Sequence, residues 1–146
     1  MYRTHQEKGE AMRFLKPHTE RIYALLRIMS GFMFTLHGMQ KLFGMFGGVP
    51  AGAPAFIIYG AGGIEFVGGV LILLGLFASP AAFISSGTMA VAYFMGHVIP
   101  AQWNILPIVN KGELAALYCF VFLYIAAHGS GIWSVDAARQ GAKSQA

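Results

Sequence analysis

Charged side chains are scarce in this sequence. Only 11% of the 146 residues are Asp, Glu, Lys or Arg, whereas 56% are hydrophobic. A soluble domain carries about 25% charged residues, so this chain has too little polar surface to cover itself in water. The composition therefore excludes an ordinary soluble domain and predicts an integral membrane protein whose main partner is the lipid bilayer.

Disulfides and recognisable catalytic motifs are also missing. Cys119 is the only cysteine, which excludes an internal disulfide and a dithiol relay. No phosphate loop, nucleotide fingerprint or Ser/His/Asp grouping appears. Gly68 and Ala116 stand where the Glu-x-x-His pairs of a di-iron bundle need histidine. No metal site is therefore predicted, no redox cofactor motif is recognisable, and enzyme status stays open.

Positive charge is concentrated near the N-terminus. The formal net charge is +4, and six of the ten basic residues lie in the first 27 positions. No aromatic residues interleave with them in the manner of a nucleic-acid patch, so nucleic acid is not a predicted partner. Residues 1–20 lack the apolar core of a secretory signal. We interpret them as a basic cytoplasmic extension, within which Met12 is a second candidate for the first residue.

Four apolar blocks occupy the rest of the chain, and Gly- and Pro-rich connectors separate them. The blocks are residues 22–46, 55–77, 80–99 and 114–128. A spanning helix needs about 20 mostly apolar residues, and the fourth block reaches that length only if it begins near Asn110. The short break at residues 78–80 predicts a tight turn between antiparallel helices. We predict an all-α, polytopic membrane protein, an antiparallel bundle of four transmembrane helices over residues 21–133.

The basic flanks predict the orientation. Cytoplasmic flanks carry excess Lys and Arg. Both ends of this chain are basic, since the tail at residues 134–146 adds Arg139 and Lys143. The first and third connectors hold only Lys41 and Lys111, at their boundaries. Four spans return the chain to its starting side, so we predict that the N- and C-termini are both cytoplasmic.

Each apolar block has one helical face that collects its polar and small residues. At about 100° per residue, the faces hold Arg27, Gly31, Phe34, Gly38 and Lys41, with His37 at the edge; Ala61, Gly62, Glu65, Gly68 and Gly69; Ser86, Ala90, Tyr93 and His97; and Glu113, Leu117, Phe120 and Tyr124. Small residues let membrane helices approach closely. Ionisable groups in membrane spans usually face the interior. These four faces are therefore predicted to converge.

Glu65 stands alone in an apolar segment, "GGIEFVGGVLILLGLF" at residues 62–77. The glycines on its face predict a close neighbouring helix that supplies a basic partner. Arg27 and Lys41 both qualify, and they lie about 21 Å apart along the first helix at 1.5 Å per residue, so the wheel does not choose between them. In the alternative interpretation, both basic side chains snorkel to the interfaces. Glu65 also fits a purely structural ion pair.

The other polar residues have structural alternatives too. Asn110 and Glu113 have the spacing of a capping box. His37 and His97 suit hydrogen-bonded structural histidines as well as ligand-binding residues. Phe34, Phe120 and Tyr124 would wall a ligand site between the helices, and the alternative is a packed, empty core. The predicted polar core consists of Arg27, His37, Lys41, Glu65, His97 and Glu113.

Four segments follow one another along the chain: "RIMSGFMFTLHGMQKLFG" at residues 27–44, then "GGIEFVGGVLILLGLF", "NKGELAALYCFVFLYIAAHG" and "GSGIWSVD". The first segment is similar to the first-span signature of the DoxX family, and the four in this order resemble that family. The resemblance covers residues 25–136 and implies a small four-helix protein of the bacterial inner membrane. It also implies recurring polar positions at Arg27, His37, Gly38, Lys41, Glu65, His97, Asn110, Glu113 and Trp133.

The resemblance has functional implications as well. Some DoxX relatives are subunits of, or partners to, membrane oxidoreductases, including quinone-reducing enzymes that oxidise sulfur compounds. It therefore implies a component of a membrane oxidoreductase, with other subunits as partners and a quinone bound, or protons relayed, within the helices. Two other classes stay open. They are a small-molecule or ion transporter that uses the same buried charges, and a non-catalytic scaffold for soluble redox partners.

Overall fold

The computed structural model describes Met12 and residues 14–143, and every regular element in this part of the chain is helical. Most of the predicted extension at residues 1–20 lies outside the described residues. The α-helices of the described part are α1 Thr19–Phe43, α2 Gly62–Leu74, α3 Ala78–Tyr93, α4 Pro107–Asn110, α5 Glu113–His128 and α6 Val135–Lys143. The all-α prediction is confirmed for these residues.

Short helical segments lengthen three of these helices. A 3₁₀ turn at Lys16–His18 precedes α1, a π-helical segment at Phe56–Ala61 precedes α2, and another at Phe94–Val98 follows α3. The resulting helices, Lys16–Phe43, Phe56–Leu74 and Ala78–Val98, are long and apolar enough to cross a membrane. The structure therefore supports three of the four predicted spans by length and composition.

The fourth predicted span is shorter than expected. α5 has 16 residues, or about 24 Å at 1.5 Å per residue, against a hydrocarbon thickness of about 30 Å. It does not extend back to Asn110, because Lys111 adopts a left-handed backbone with φ 61° and separates α4 from α5. The predicted capping box is also wrong. Gly112 is the N-cap of α5, so Glu113 is the first helical residue and not the third.

The long helices pack as antiparallel neighbours. α1 packs chiefly on α2, α3 packs chiefly on α5, and contacts between α2 and α3 join the two pairs. Ser86 of α3 donates a hydrogen bond from Oγ to the carbonyl of Cys119 on α5 at 2.8 Å. An aromatic cluster holds α1 to α5, with the rings of Phe34 and Phe122 4.6 Å apart. The core therefore lies where the inner faces of α1, α2, α3 and α5 meet.

Glycine makes the α1–α2 contact close. A Cβ atom on Gly38 would overlap the backbone of Phe66, and one on Gly69 would meet the backbone nitrogen of Thr35 at 2.6 Å. Buried residues of α2 include Gly62, Glu65, Gly68 and Gly69. The prediction that the glycines around Glu65 mark a packing face is confirmed.

The helices define two ends of the molecule. The termini end holds the start of α1, the α2–α3 turn and α6, and the connector end holds residues 44–55 and 99–112. The α2–α3 turn falls at residues 75–77, because Gly75 and Phe77 have φ of 64° and 48°. Pro80 then lies in the first turn of α3, where its missing N–H is tolerated. The turn is therefore slightly earlier than the predicted break at residues 78–80.

The inner face of α5 differs from the predicted one. Phe120 and Tyr124 are 70% and 51% exposed and so do not wall an interior site. The buried residues of α5 are Ala115, Tyr118, Phe122 and Ile125. Apolar residues lie on all sides of α5, so a helical wheel does not distinguish its buried face from its exposed face. Its rotation is set instead by the packing of Phe34 against Tyr118 and Phe122.

Candidate functional site

Lys41 and Glu65 form an ion pair between α1 and α2. Lys41 Nζ donates to Glu65 Oε2 at 2.6 Å, and the two side chains are 18% and 5% exposed. Gly62 allows this approach, because a Cβ atom there would lie only 2.9 Å from Cβ of Lys41. The structure thus selects Lys41 as the partner of Glu65. Two of the three ammonium hydrogens of Lys41 remain for other acceptors.

Arg27 lies in a different place, near the termini end. Its guanidinium donates to the carbonyl oxygens of Ile72 at 2.6 Å, Leu73 at 2.8 Å and Trp133 at 2.7 Å. The side chain is fully buried. These carbonyls belong to the C-terminal end of α2 and to the loop before α6, where a cation suits the helix dipole. Arg27 therefore ties helices together and does not join the predicted polar core.

His97 lies on the π-helical segment that follows α3, and the third connector holds its ring. Nδ1 is 3.2 Å from the carbonyl oxygen of Asn110. A carbonyl only accepts, so Nδ1 carries the proton and Nε2 of the neutral ring keeps its lone pair. Asn110 is itself fixed, since its Oδ1 accepts from the Gly112 N–H at 2.7 Å and its Nδ2 donates to the Asn104 carbonyl at 2.9 Å. The hydrogen bond at Nδ1 therefore fixes the orientation of the imidazole ring.

An inner cavity of about 250 Å³ lies between α1, α2, α3 and α5. The ion pair lines it together with both predicted histidines, His37 and His97. Sequence reasoning missed two other lining residues, Tyr118 and Lys111. Tyr118 is not on the predicted polar face of the fourth block. Lys111 had been counted only as a flanking charge, although its place directly before α5 was a usable signal.

A lateral groove of about 680 Å³ lies on the other side of the ion pair, along α2 and α3 and their π-helical segments. Most of its lining is apolar and includes Phe56, Val91 and Met95, which are 62%, 56% and 54% exposed. Lys41, Glu65, Ala92 and His97 line both the groove and the inner cavity. The ion pair and His97 therefore lie at the boundary between the lateral groove, whose lining is mostly apolar, and the inner cavity, whose lining includes more polar side chains.

A comparison with known protein families identifies the family of this chain. The family model described as DoxX matches residues 22–98, which is more than half of the chain and includes Arg27, His37, Lys41, Glu65 and His97. The chain belongs to the DoxX family. An uncharacterized protein of Haemophilus influenzae (strain Rd) is 43% identical over 130 residues, covering 86% of this DoxX chain and 96% of the relative.

A second relative of this DoxX protein has a functional name. The Bacillus subtilis (strain 168) protein named "Putative oxidoreductase CatD" is 29% identical over 116 residues, covering 77% of this chain and 82% of the relative. No solved structure matches the chain.

Glu113 lies apart from the site of this DoxX protein. It is exposed in the first turn of α5 and is not among the residues that line the inner cavity or the lateral groove. Within residues 14–143, no three His, Cys, Asp or Glu side chains come together as a metal site. The predicted polar core is thus reduced to His37, Lys41, Glu65 and His97, with Lys111 and Tyr118 added.

Proposed function

We propose that this DoxX protein is the quinone-binding component of a bacterial membrane oxidoreductase, and that the quinone head group lies in the lateral groove against Lys41 and His97. The observation that carries the proposal is an apolar groove of about 680 Å³ that ends on a buried ion pair and an oriented imidazole. Ligand sites of about 300–1,000 Å³ are mostly apolar, with a few polar groups that fix orientation. The printed name of the Bacillus subtilis relative adds an association with oxidoreductases.

The polar groups suit both redox states of a quinone. A quinone oxygen accepts hydrogen bonds, and Lys41 has donors left beyond its bond to Glu65. A quinol hydroxyl donates, and Nε2 of His97 accepts. Reduction of one quinone consumes two electrons and two protons. In this proposal a reduced redox group of a partner subunit supplies the electrons, and this chain supplies the binding site and the groups that deliver protons to the quinone oxygens.

The proposal includes a membrane arrangement. α5 crosses the bilayer as the fourth span, both termini are cytoplasmic, and the protein lies in the bacterial inner membrane. α5 supports this because its outward face is apolar, with Leu117 and Phe120 63% and 70% exposed, and because it packs along α3. The connector end then faces the other side of the membrane, and the Lys41–Glu65 pair lies toward that end of α1.

Thermal unfolding with a short-chain benzoquinone tests the proposal. A ligand that binds only the folded state at 100 times its dissociation constant stabilises that state by about 2.7 kcal/mol, so the unfolding temperature should rise. Gly87→Leu fills the groove, since a Cβ atom at Gly87 meets open space and Gly87 lines the groove. We expect this variant to lose the shift.

Two matched controls keep the result specific. Gly63→Leu makes the same substitution on α2, at a glycine that also faces open space but does not line the groove, and should retain the shift. His97→Phe should abolish the shift, whereas His37→Phe should retain it, because His37 lines only the inner cavity. An absent shift, or a shift that survives Gly87→Leu, contradicts the proposal. Substrate-dependent flux in liposomes would then favour a transporter, and retained partner binding after Glu65→Gln would favour a scaffold.

A further inference from the structure

The inner cavity contains a polar group without a partner. Tyr118 is only 6% exposed, and its hydroxyl has no hydrogen-bond partner among the described residues. A buried hydroxyl left unpaired is unfavourable, because it has lost its hydrogen bonds to water. Tyr118 lines the inner cavity, so the cavity is where a partner for its hydroxyl would stand.

The size and lining of the cavity suit water. A water molecule occupies about 30 Å³ in the liquid and needs two to four polar neighbours. The cavity measures about 250 Å³, and six of its lining residues have polar side chains: His37, Lys41, Glu65, His97, Lys111 and Tyr118. An apolar cavity of similar volume would remain dry. This lining therefore favours several connected water molecules.

The cavity also connects the surface at the connector end with the Lys41–Glu65 ion pair and His97. Lys111 is exposed at the connector end and lines the cavity, so the cavity reaches the surface there. At its other side the cavity is bounded by Lys41, Glu65 and His97, which also line the lateral groove. A proton that enters at Lys111 would reach the ion pair and the imidazole without crossing the apolar groove.

We propose that the inner cavity is a water-filled proton inlet that joins the connector-end surface at Lys111 to the Lys41–Glu65 pair and His97. Its purpose rests on the proposed function, since a quinone reduced in the groove takes up two protons with the two electrons that it receives from the partner subunit. Glu65 and His97 accept protons from the water chain and pass one to each of the two quinone oxygens as the quinone is reduced, and the tyrosine hydroxyl orients that chain. The existence of the inlet is a separate physical claim about hydration.

Thiol labelling in liposomes tests the hydration directly and requires no quinone. In a Cys119→Ala background, Ala115→Cys places a thiol on the wall of the cavity. Charged thiosulfonate reagents react with the thiolate, which forms readily only in contact with water. We expect Ala115→Cys to react roughly 100-fold faster than Leu117→Cys, which lies at a similar depth on the exposed face of the same helix. Ala51→Cys in the first connector reports full exposure at the connector end.

The charge of the reagent, and the side of the membrane from which it reacts, make the test more specific. The anionic reagent should react faster than the cationic one, because Lys111 makes the opening positive, and Lys111→Gln should reduce that preference. Reaction should occur only from the side on which Ala51→Cys reacts. Met89→Cys, which is buried on the wall of the same cavity, replaces Ala115→Cys if the latter fails to assemble. Equal, slow labelling of cavity and lipid-facing thiols would overturn the inlet. A missing quinone shift would overturn only the proposed function.

Discussion

Removing Lys41 should destabilise the protein more than neutralising Glu65. The Glu65 side chain is 5% exposed and short, so without Lys41 its carboxylate stays buried with no counter-charge beside it. Removing one member of a buried pair costs about 3–5 kcal/mol, and we expect Lys41→Met to fall in this range. The Lys41 side chain is 18% exposed and lies near the C-terminal end of α1, so in Glu65→Gln its ammonium can turn toward the connector end. We expect that variant to cost about 1–2 kcal/mol.

The double variant is the decisive measurement. Lys41→Met combined with Glu65→Gln removes both charges, so it should be more stable than Lys41→Met alone by about 2 kcal/mol. Unfolding would be followed by circular dichroism during titration of mild micelles with a denaturing detergent. Lys111→Met is the matched control, since Lys111 is exposed and makes no ion pair with a described carboxylate, and it should change stability by less than about 0.5 kcal/mol. Strictly additive losses in the double variant would refute a buried, coupled pair.

Two further predictions concern topology and helix packing. Reporter fusions after residue 140 and within residues 47–54 should report opposite sides of the membrane, with the former cytoplasmic; agreement between them would contradict four spans. Gly38→Val should lower the free energy of unfolding by about 1–3 kcal/mol, because its side chain would overlap the backbone of Phe66. A Cβ atom at Gly96 meets open space, so Gly96→Val should unfold at a detergent concentration close to that of the unsubstituted protein. Equal effects at both glycines would exclude close α1–α2 packing.

Hydropathy and glycine patterning were sufficient for much of the fold. The apolar blocks predicted the helices that contain Arg27, Glu65 and His97, and the glycine face correctly indicated where α2 meets α1. The choice between Arg27 and Lys41 was beyond the sequence. Both lie on one stripe of α1, and only the axial shift of α2 against α1 decides which is level with Glu65.

Two errors have the same kind of cause. Asn110 and Glu113 had capping-box spacing, but the left-handed backbone at Lys111 breaks the helix between them, and a lysine gives little warning of that conformation. The outward-facing Phe120 was placed inside because α5 is apolar on every side, so that packing against α1 and α3 sets its rotation. In both cases the tertiary structure, and not the local sequence pattern, determines the start or the rotation of α5.

Arg27 has a consequence for how the protein is made. Its guanidinium lies on α1, yet one of its acceptors is the carbonyl of Trp133, 106 residues later in the chain. The nascent protein therefore lacks this acceptor for Arg27 until residue 133 has been synthesised. A chain truncated before residue 132 never completes these bonds. We expect membrane proteases to degrade such products faster than the full-length protein. The hydrogen bonds of Arg27 would then distinguish completed chains from truncated ones.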